Sequence, residues 1–375
     1  MNPNRIKLGI TLAGVLALVV LPVCAHAAAT AYTVTDLGTL GANFNNYAYG
    51  INAAGTVVGY AQDPSGVAHA FIYSNGSMQE LGTLGGSNSL ACGINESGTV
   101  VGTSQVAGNT AYHGFTYTNG PMQDVGSLGG PGSQAQAINT GGTVAGVFGK
   151  LGVVGPVGNS TPRAFIYSNG SMQDLGTLGG HASNAYGINE SGTVVGRAQT
   201  SAQATNSGEH AFIYSNGSMQ DLGTLGGRNS LAYGINKSGT VVGYSQAFAE
   251  AFGSVNHAFI YVGGSMQDLG TFGGPDSVAR GINESGTVVG YSATPGGITL
   301  AFIYSNGSMT DLNTLVSLQG VSLIDATAIN DLGQIAANSL DGRAYLLTPT
   351  PEPASAALLL VGGALLGLRR RRSVV

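Results

Sequence analysis

Tryptophan is absent from this 375-residue chain, charged side chains make up only 8% of it, and it has just two cysteines. Each shortage excludes something. Without Trp, the commonest platform for stacking sugar rings is missing. The 18 carboxylates face 13 Lys and Arg, and six of those bases lie in the termini, at Arg5, Lys7 and Arg369 to Arg372. The middle is therefore clearly acidic and a poor partner for nucleic acid. Cys24 falls in an N-terminal segment with the features of a cleaved leader, which leaves Cys92 as the lone thiol. One thiol forms no internal disulfide. Cys92, in Leu90-Ala91-Cys92-Gly93-Ile94, stands where several other copies of the run carry Tyr, and it reads as a small buried hydrophobe. Scarce charge does not mean disorder, which needs low hydrophobicity and high net charge; here the net charge is −5 and 43% of residues are hydrophobic.

What fills the chain is repetition. The Asp-Leu-Gly-Thr-Leu element recurs at Asp36, Glu80, Asp124, Asp174, Asp221, Asp268 and Asp311, at spacings of 43 to 50 residues. In its fullest form, a unit begins with the aromatic and β-branched run His210-Ala211-Phe212-Ile213-Tyr214, which reads as a strand. Ser-Asn-Gly-Ser follows, and Asn-Gly is a strong hairpin signal because both residues tolerate positive φ. Met-Gln-Asp-Leu-Gly-Thr-Leu then returns. After Gly-Gly and a polar loop come Ala-Tyr-Gly-Ile-Asn, a tight turn, and Gly-Thr-Val-Val-Gly-Tyr. The second turn is the most regular feature. Asn52, Asn95, Asn139, Asn189, Asn236, Asn283 and Asn330 each precede a glycine by three residues, the spacing of an Asx side chain opening a turn that Gly closes.

Four short antiparallel strands per 45 or so residues make a propeller blade. Ala211 and Ile213 face one way and Phe212 and Tyr214 the other, so the strand is apolar on both sides, as a sheet stacked between two others requires. The ends supply the count. Arg343 to Thr348 is a His-Ala-Phe-type strand with no Asp-Leu-Gly partner after it, and Tyr32 to Gly38 is an Asp-Leu-Gly strand with none before it. Pairing them closes a ring and leaves no open edge. The expectation is an all-β fold: a seven-bladed β-propeller of four-stranded antiparallel blades, closed by pairing of the N- and C-terminal strands, over residues 28–348. An open solenoid is the alternative, although no capping segment is visible.

Both ends read as sorting signals. In residues 1–27, Arg5 and Lys7 precede the apolar run Leu8 to Val23, and Ala25-His26-Ala27 is a small-x-small cleavage site. A lipobox ending at Cys24 competes, with Val23 bulky for it. Residues 349–375 hold Pro351-Glu352-Pro353, a small-apolar stretch from Ala354 to Leu368, and Arg369-Arg370-Arg371-Arg372. Fifteen apolar residues are short for a membrane span of roughly 20, and the arginines would hold the segment's end in the cytoplasm. This tripartite tail resembles the PEP-CTERM sorting signal, with Thr350 where Val is common; a plain C-terminal anchor is the alternative. The resemblance implies an exosortase-type sorting enzyme as partner, removal near Pro351 to Pro353, transient inner-membrane anchoring, and a host that makes exopolysaccharide. The repeats themselves, with His-Ala-Phe at His69, His210 and His257, resemble the HAF family of extracellular repeats. Gly114, Arg163, Leu300 and the last copy depart from that pattern, and membership says little about activity.

No motif requires a catalytic residue, a metal or a cofactor. An Asp present in nearly every copy is not one catalytic acid; hydrogen bonds to turn amides or to the nearby His and Thr explain it. Calcium is the alternative, but the motif brings no second carboxylate. His69, His113, His210 and His257, one per blade, read as strand-end hydrogen bonders rather than as a converging zinc site. Outside the pattern stand Asp63, Glu209, Glu250, Asp276, Asp325, Asp341 and His181; no pair is singled out for glycoside cleavage, and no nucleophile elbow appears. The connections before each His-Ala-Phe strand vary freely in length: Ala61 to Ala68, Gln105 to Tyr112, Val147 to Pro162, Gln199 to Glu209 and Gln246 to Asn256. Strand parity puts them on one rim. Within the longest, Lys150 and Leu151 to Val154 form a candidate contact patch. The reading is a non-enzymatic, exported propeller at the cell surface or in the extracellular matrix, which binds exopolysaccharide or another surface protein or serves as a coat. Its working face is the variable rim around the pore, with neutral drift of exposed loops as the alternative reading of that variation; Tyr60, Tyr244 and Tyr291 would stack on sugars if exposed, or else pack between blades. A polysaccharide lyase or hydrolase acting at the pore is the alternative.

Overall fold

The computed structural model describes residues 32–41, 45–149, 161–201, 208–249 and 253–350. The expected leader in residues 1–27, the candidate patch at Lys150 to Val154, Glu250, and the expected sorting signal with Pro351, Glu352, Pro353 and Arg369 to Arg372 lie outside these residues. The described residues form 28 strands and two short 3-10 turns, and no helix among them is long and apolar enough to cross a membrane.

The strands assemble into seven four-stranded antiparallel sheets, the blades. A representative blade runs Ser183–Ile188, Val194–Gln199, Glu209–Ser215, Ser218–Asp221, each strand beside the next. The hairpin joining its outer strands turns through Asn216 and Gly217, with φ of 52° and 78°. Both values are positive, the condition for a tight turn that follows the strands' twist. The seventh blade takes its outermost strand from the other end of the chain. Tyr32–Asp36 pairs with Ala344–Pro349 in the register Tyr32 to Pro349 and Asp36 to Tyr345. The chain is therefore a closed seven-bladed propeller.

Blades stack through both faces. Phe212 and Tyr214 pack with Ala145, Ala164 and Leu175 of the preceding blade, whereas Ala211 and Ile213 pack with Ala232, Val241 and Phe259 of the following one. Six fully buried phenylalanines, Phe71, Phe115, Phe165, Phe212, Phe259 and Phe302, anchor these interfaces, each stabilising by about 1.5–3 kcal/mol through burial. Opposite each Phe in the register is a glycine, as in Gly196 with Phe212 and Gly243 with Phe259. A Cβ on Gly243 would lie 1.9 Å from the Leu231 carbonyl oxygen. The innermost and second strands approach too closely there for any side chain.

The turn asparagines do more than open turns. Within its own turn each side-chain oxygen accepts from the backbone N–H four residues on, as from Thr193 to Asn189 at 3.0 Å and Thr240 to Asn236 at 2.9 Å. Each side-chain amide then donates to the backbone carbonyl of the corresponding Asn in the next blade, and Asn330 donates to Asn52, at 2.9–3.2 Å throughout. Seven equivalent bonds thus circle the axis, and all seven asparagines are buried. A fully satisfied buried network of this kind fixes one arrangement of blades.

Candidate functional site: the channel mouth

The innermost strand of each blade carries an irregularity at one fixed place. Pairing with the second strand skips a residue between Ala48 and Gly50, Ala91 and Gly93, Ala135 and Ala137, Ala185 and Gly187, Ala232 and Gly234, Ala279 and Gly281, and Ala326 and Ala328. Bulges of this kind re-aim a side chain. The bulged residues are Tyr49, Cys92, Gln136, Tyr186, Tyr233, Arg280 and Thr327, and all seven line the central channel. They vary from copy to copy while the Gly/Ala-Ile-Asn after them scarcely changes.

The channel has three stretches. At the variable rim, where the innermost strands begin, a mouth of about 410 Å3 is lined by the bulge residues with Tyr47, Leu90, Thr103 and Gln134. Next comes a stretch of about 240 Å3 walled by the bulge residues, small backbone residues and seven isoleucines, from Ile51 to Ile329. Beyond it, among the Asn turns, a stretch of about 260 Å3 is lined by Glu96, Glu190, Glu284 and Asp331 with Lys237. These acids are tied across blades: Glu284 accepts from the Lys237 N–H at 2.7 Å and Asp331 from the Glu284 N–H at 2.9 Å.

Aromatic side chains crowd the mouth. Tyr47 and Tyr60 stack with ring centres 6.3 Å apart, Tyr49 lies 4.8 Å from Tyr47, and Tyr233 sits 5.4 Å from Tyr186 and 6.2 Å from Tyr244. The Arg280 guanidinium lies over the rings of Tyr233 and Tyr291, at 4.8 and 5.3 Å from their centres, in cation–π geometry. Behind it Asp325, only 6% exposed, approaches the guanidinium at 3.4 Å and accepts a hydrogen bond from the Tyr47 hydroxyl. Burial pushes the Asp325 carboxyl up, and Arg280 and the Tyr47 hydrogen bond oppose that shift. Burial and the nearby Asp325 charge push the Tyr47 phenol up as well. A second pair joins Arg197 and Glu209 at 2.9 Å. Cys92, expected as a buried small hydrophobe, is instead half-buried in the lining of the mouth, where desolvation pushes its thiol up to about 12; the neutral thiol is a poor nucleophile near pH 7.

Tyr60, Tyr244 and Tyr291, singled out by their recurrence, thus pack against the bulge residues at the mouth, half-buried. The Asp-Leu-Gly carboxylates do what their repetition suggests. Asp221 accepts from the Gly223 N–H at 2.7 Å and pairs with His210 at 2.8 Å; Asp124 pairs with His113 and Asp268 with His257, both at 2.7 Å. Arg163 takes the His place beside Asp174 at 3.1 Å, and across the closing seam Arg343 pairs with Asp36 at 3.0 Å. Of the acids outside the pattern, Asp63 faces His69 at 3.3 Å, Asp276 accepts from the Asn256 N–H at 3.0 Å, and Asp341 lies 3.3 Å from Arg343. Asp325 and Glu209 each meet an arginine. Arg280, Gln136 and Thr327 were not among the candidates read from the sequence; their signal is that the position before the nearly constant Gly/Ala-Ile-Asn changes from copy to copy, as does the position two residues earlier, at Tyr47, Leu90, Gln134, Asn184, Leu231, Val278 and Asp325.

No family model matches the chain, and no curated protein matches it in sequence. Among solved structures, it is similar to the β-propeller domain of the Trilobed protease from Pyrococcus furiosus, described as having an open velcro topology. That likeness has a TM-score of 0.52 at 10% identity and covers 79% of this chain and 91% of that one. It is also similar to a catalytically inactive virginiamycin B lyase from Staphylococcus aureus, with a TM-score of 0.48 at 11% identity, covering 85% of this chain and 100% of that one. Likeness at such identity establishes the propeller fold and no activity.

Proposed function

We propose that this chain is an exported binding propeller of the cell surface or extracellular matrix, and that its ligand is a glycan held at the channel mouth. The observation that carries the reading is the bulge ring. Seven blades of one fold each turn a bulged side chain that differs between copies into the mouth, and the lining so formed includes Tyr47, Tyr49, Tyr186 and Tyr233. Aromatic faces beside a few placed polar groups suit a small-molecule or sugar site, and about 410 Å3 is a normal volume for one. The leader and the tail with Pro351, Glu352, Pro353 and Arg369 to Arg372 support export and exosortase-type sorting, and the resemblance of the repeats to HAF proteins supports an extracellular setting.

Incubating purified residues 28–348 with the host's exopolysaccharide tests this. Retention of polymer on the immobilised protein, with no new chain ends, is the expected result. Shortened chains would mean a lyase or hydrolase instead. Polymer neither held nor cut would leave only a coat role.

A further inference from the structure

The chemistry of the mouth narrows the ligand, on the reading just given. Arg280, the one charged side chain in its lining among the described residues, already has a carboxylate, Asp325, behind it at 3.4 Å. Arg197 is likewise matched by Glu209. An anionic ligand approaching Arg280 therefore also approaches Asp325, and a cationic one approaches the guanidinium, so neither gains a net charge to meet. The remaining polar lining is neutral and two-sided: the Gln134 and Gln136 amides, Thr103, and tyrosine hydroxyls. Such groups donate and accept, as sugar hydroxyls do, while tyrosine rings cover the apolar faces of a pyranose.

The floor sets a second limit. What the second stretch adds to the bulge side chains is seven isoleucines and small residues, whose side chains offer a hydroxylated chain no partners for the water it would lose. Beyond that belt stand the carboxylates of the far rim.

We propose that the mouth binds the terminal sugars of an uncharged glycan, laid on the tyrosines and halted by the isoleucine belt. The test is a glycan array of neutral, uronate-bearing and amino-sugar oligosaccharides, followed by calorimetry with a length ladder of the strongest ligand. Neutral glycans should dominate, matched uronates should bind at least tenfold more weakly, and affinity should stop rising after the first few sugars. Tyr233→Ala and Gln136→Ala should each weaken binding about tenfold or more, whereas Glu96→Gln on the far rim should not change it. Circular dichroism confirms that each variant is folded, and Gln136→Ala keeps the test open if Tyr233→Ala is not. Binding only of charged glycans would overturn the inference and leave the glycan reading standing. Affinity that climbs steadily with length, indifferent to both mouth variants, would overturn it by moving the site to the outer loops. Retention of no oligosaccharide of any charge would overturn both.

Discussion

Asn189 shows how much one side chain carries in this ring. Its oxygen holds its own turn and its amide reaches the Asn236 carbonyl of the next blade at 3.1 Å. Asn189→Ala leaves the Thr193 N–H without its partner and removes one of the two hydrogen bonds that the Asn236 carbonyl accepts, the other coming from the Gly239 N–H, so a loss of roughly 1–3 kcal/mol is expected in urea unfolding. A merely local turn residue would cost less, because water would reach the freed groups. Gly243 fails differently. Gly243→Ala drives a methyl against the Leu231 carbonyl, 1.9 Å away, and that clash is backbone on both sides. The expected outcome is severe destabilisation or no soluble protein, beyond the roughly 1–3 kcal/mol typical of an overpacked core. Cys92 gives a pH prediction. Its thiol is raised from an ordinary value near 9 to about 12. The unfolded chain therefore releases that proton first as pH climbs, and the folded state loses the corresponding stability between about pH 9 and 12. Below pH 9 the contribution is fully present. Alkylation by iodoacetamide should accordingly remain slow at pH 8 in folded protein and become fast when urea unfolds it.

At the scale of strands, the repeat made most of the fold legible. Asn-Gly pairs marked hairpins, Asn-x-x-Gly marked the inner turns, and His210-Ala211-Phe212-Ile213-Tyr214 announced a strand buried on both faces. Tyr32–Asp36, an orphan half-hairpin, revealed how the ring closes. Less legible was anything that depends on neighbouring blades. The asparagine ring joins residues 43 to 50 positions apart, or 278 across the seam, and no local pattern states that their amides meet a carbonyl. Ser230 is a similar case: it accepts from the Ala211 N–H at 2.8 Å and donates to the Gly223 carbonyl at 2.5 Å, fastening one blade's inner strand to the blade before it. The bulge was hidden too, because Ala-Tyr-Gly-Ile reads as plain alternation, and the skipped residue shows only in how the strand pairs with its neighbour. Truncation tests the seam. Removing residues 28–40 strips the strand paired along Ala344–Pro349 and the Asp36–Arg343 contact, and the midpoint of thermal unfolding should fall clearly. An unchanged midpoint would mean the seam adds nothing to closure.

For the whole molecule, closure explains why one mouth rather than seven edges is offered to the surroundings. Radial stacking buries both faces of every blade, and pairing of the termini removes the free edge of the seventh, so the variable surface that remains is the rim and the channel it encloses. Identical packing in each blade holds the bulge residues in fixed places, and their differences make the mouth chemically lopsided: tyrosines and Arg280 on one arc, Cys92 and Gln136 on another. Hydrogen exchange with and without the host's exopolysaccharide tests this most directly. Slowed exchange is expected in the innermost strands near Tyr49, Tyr186, Tyr233 and Arg280, with the outer hairpins at Asn75, Asn169 and Asn216 unaffected. Protection confined to those outer hairpins, with the innermost strands exchanging as before, would contradict a working site at the channel mouth.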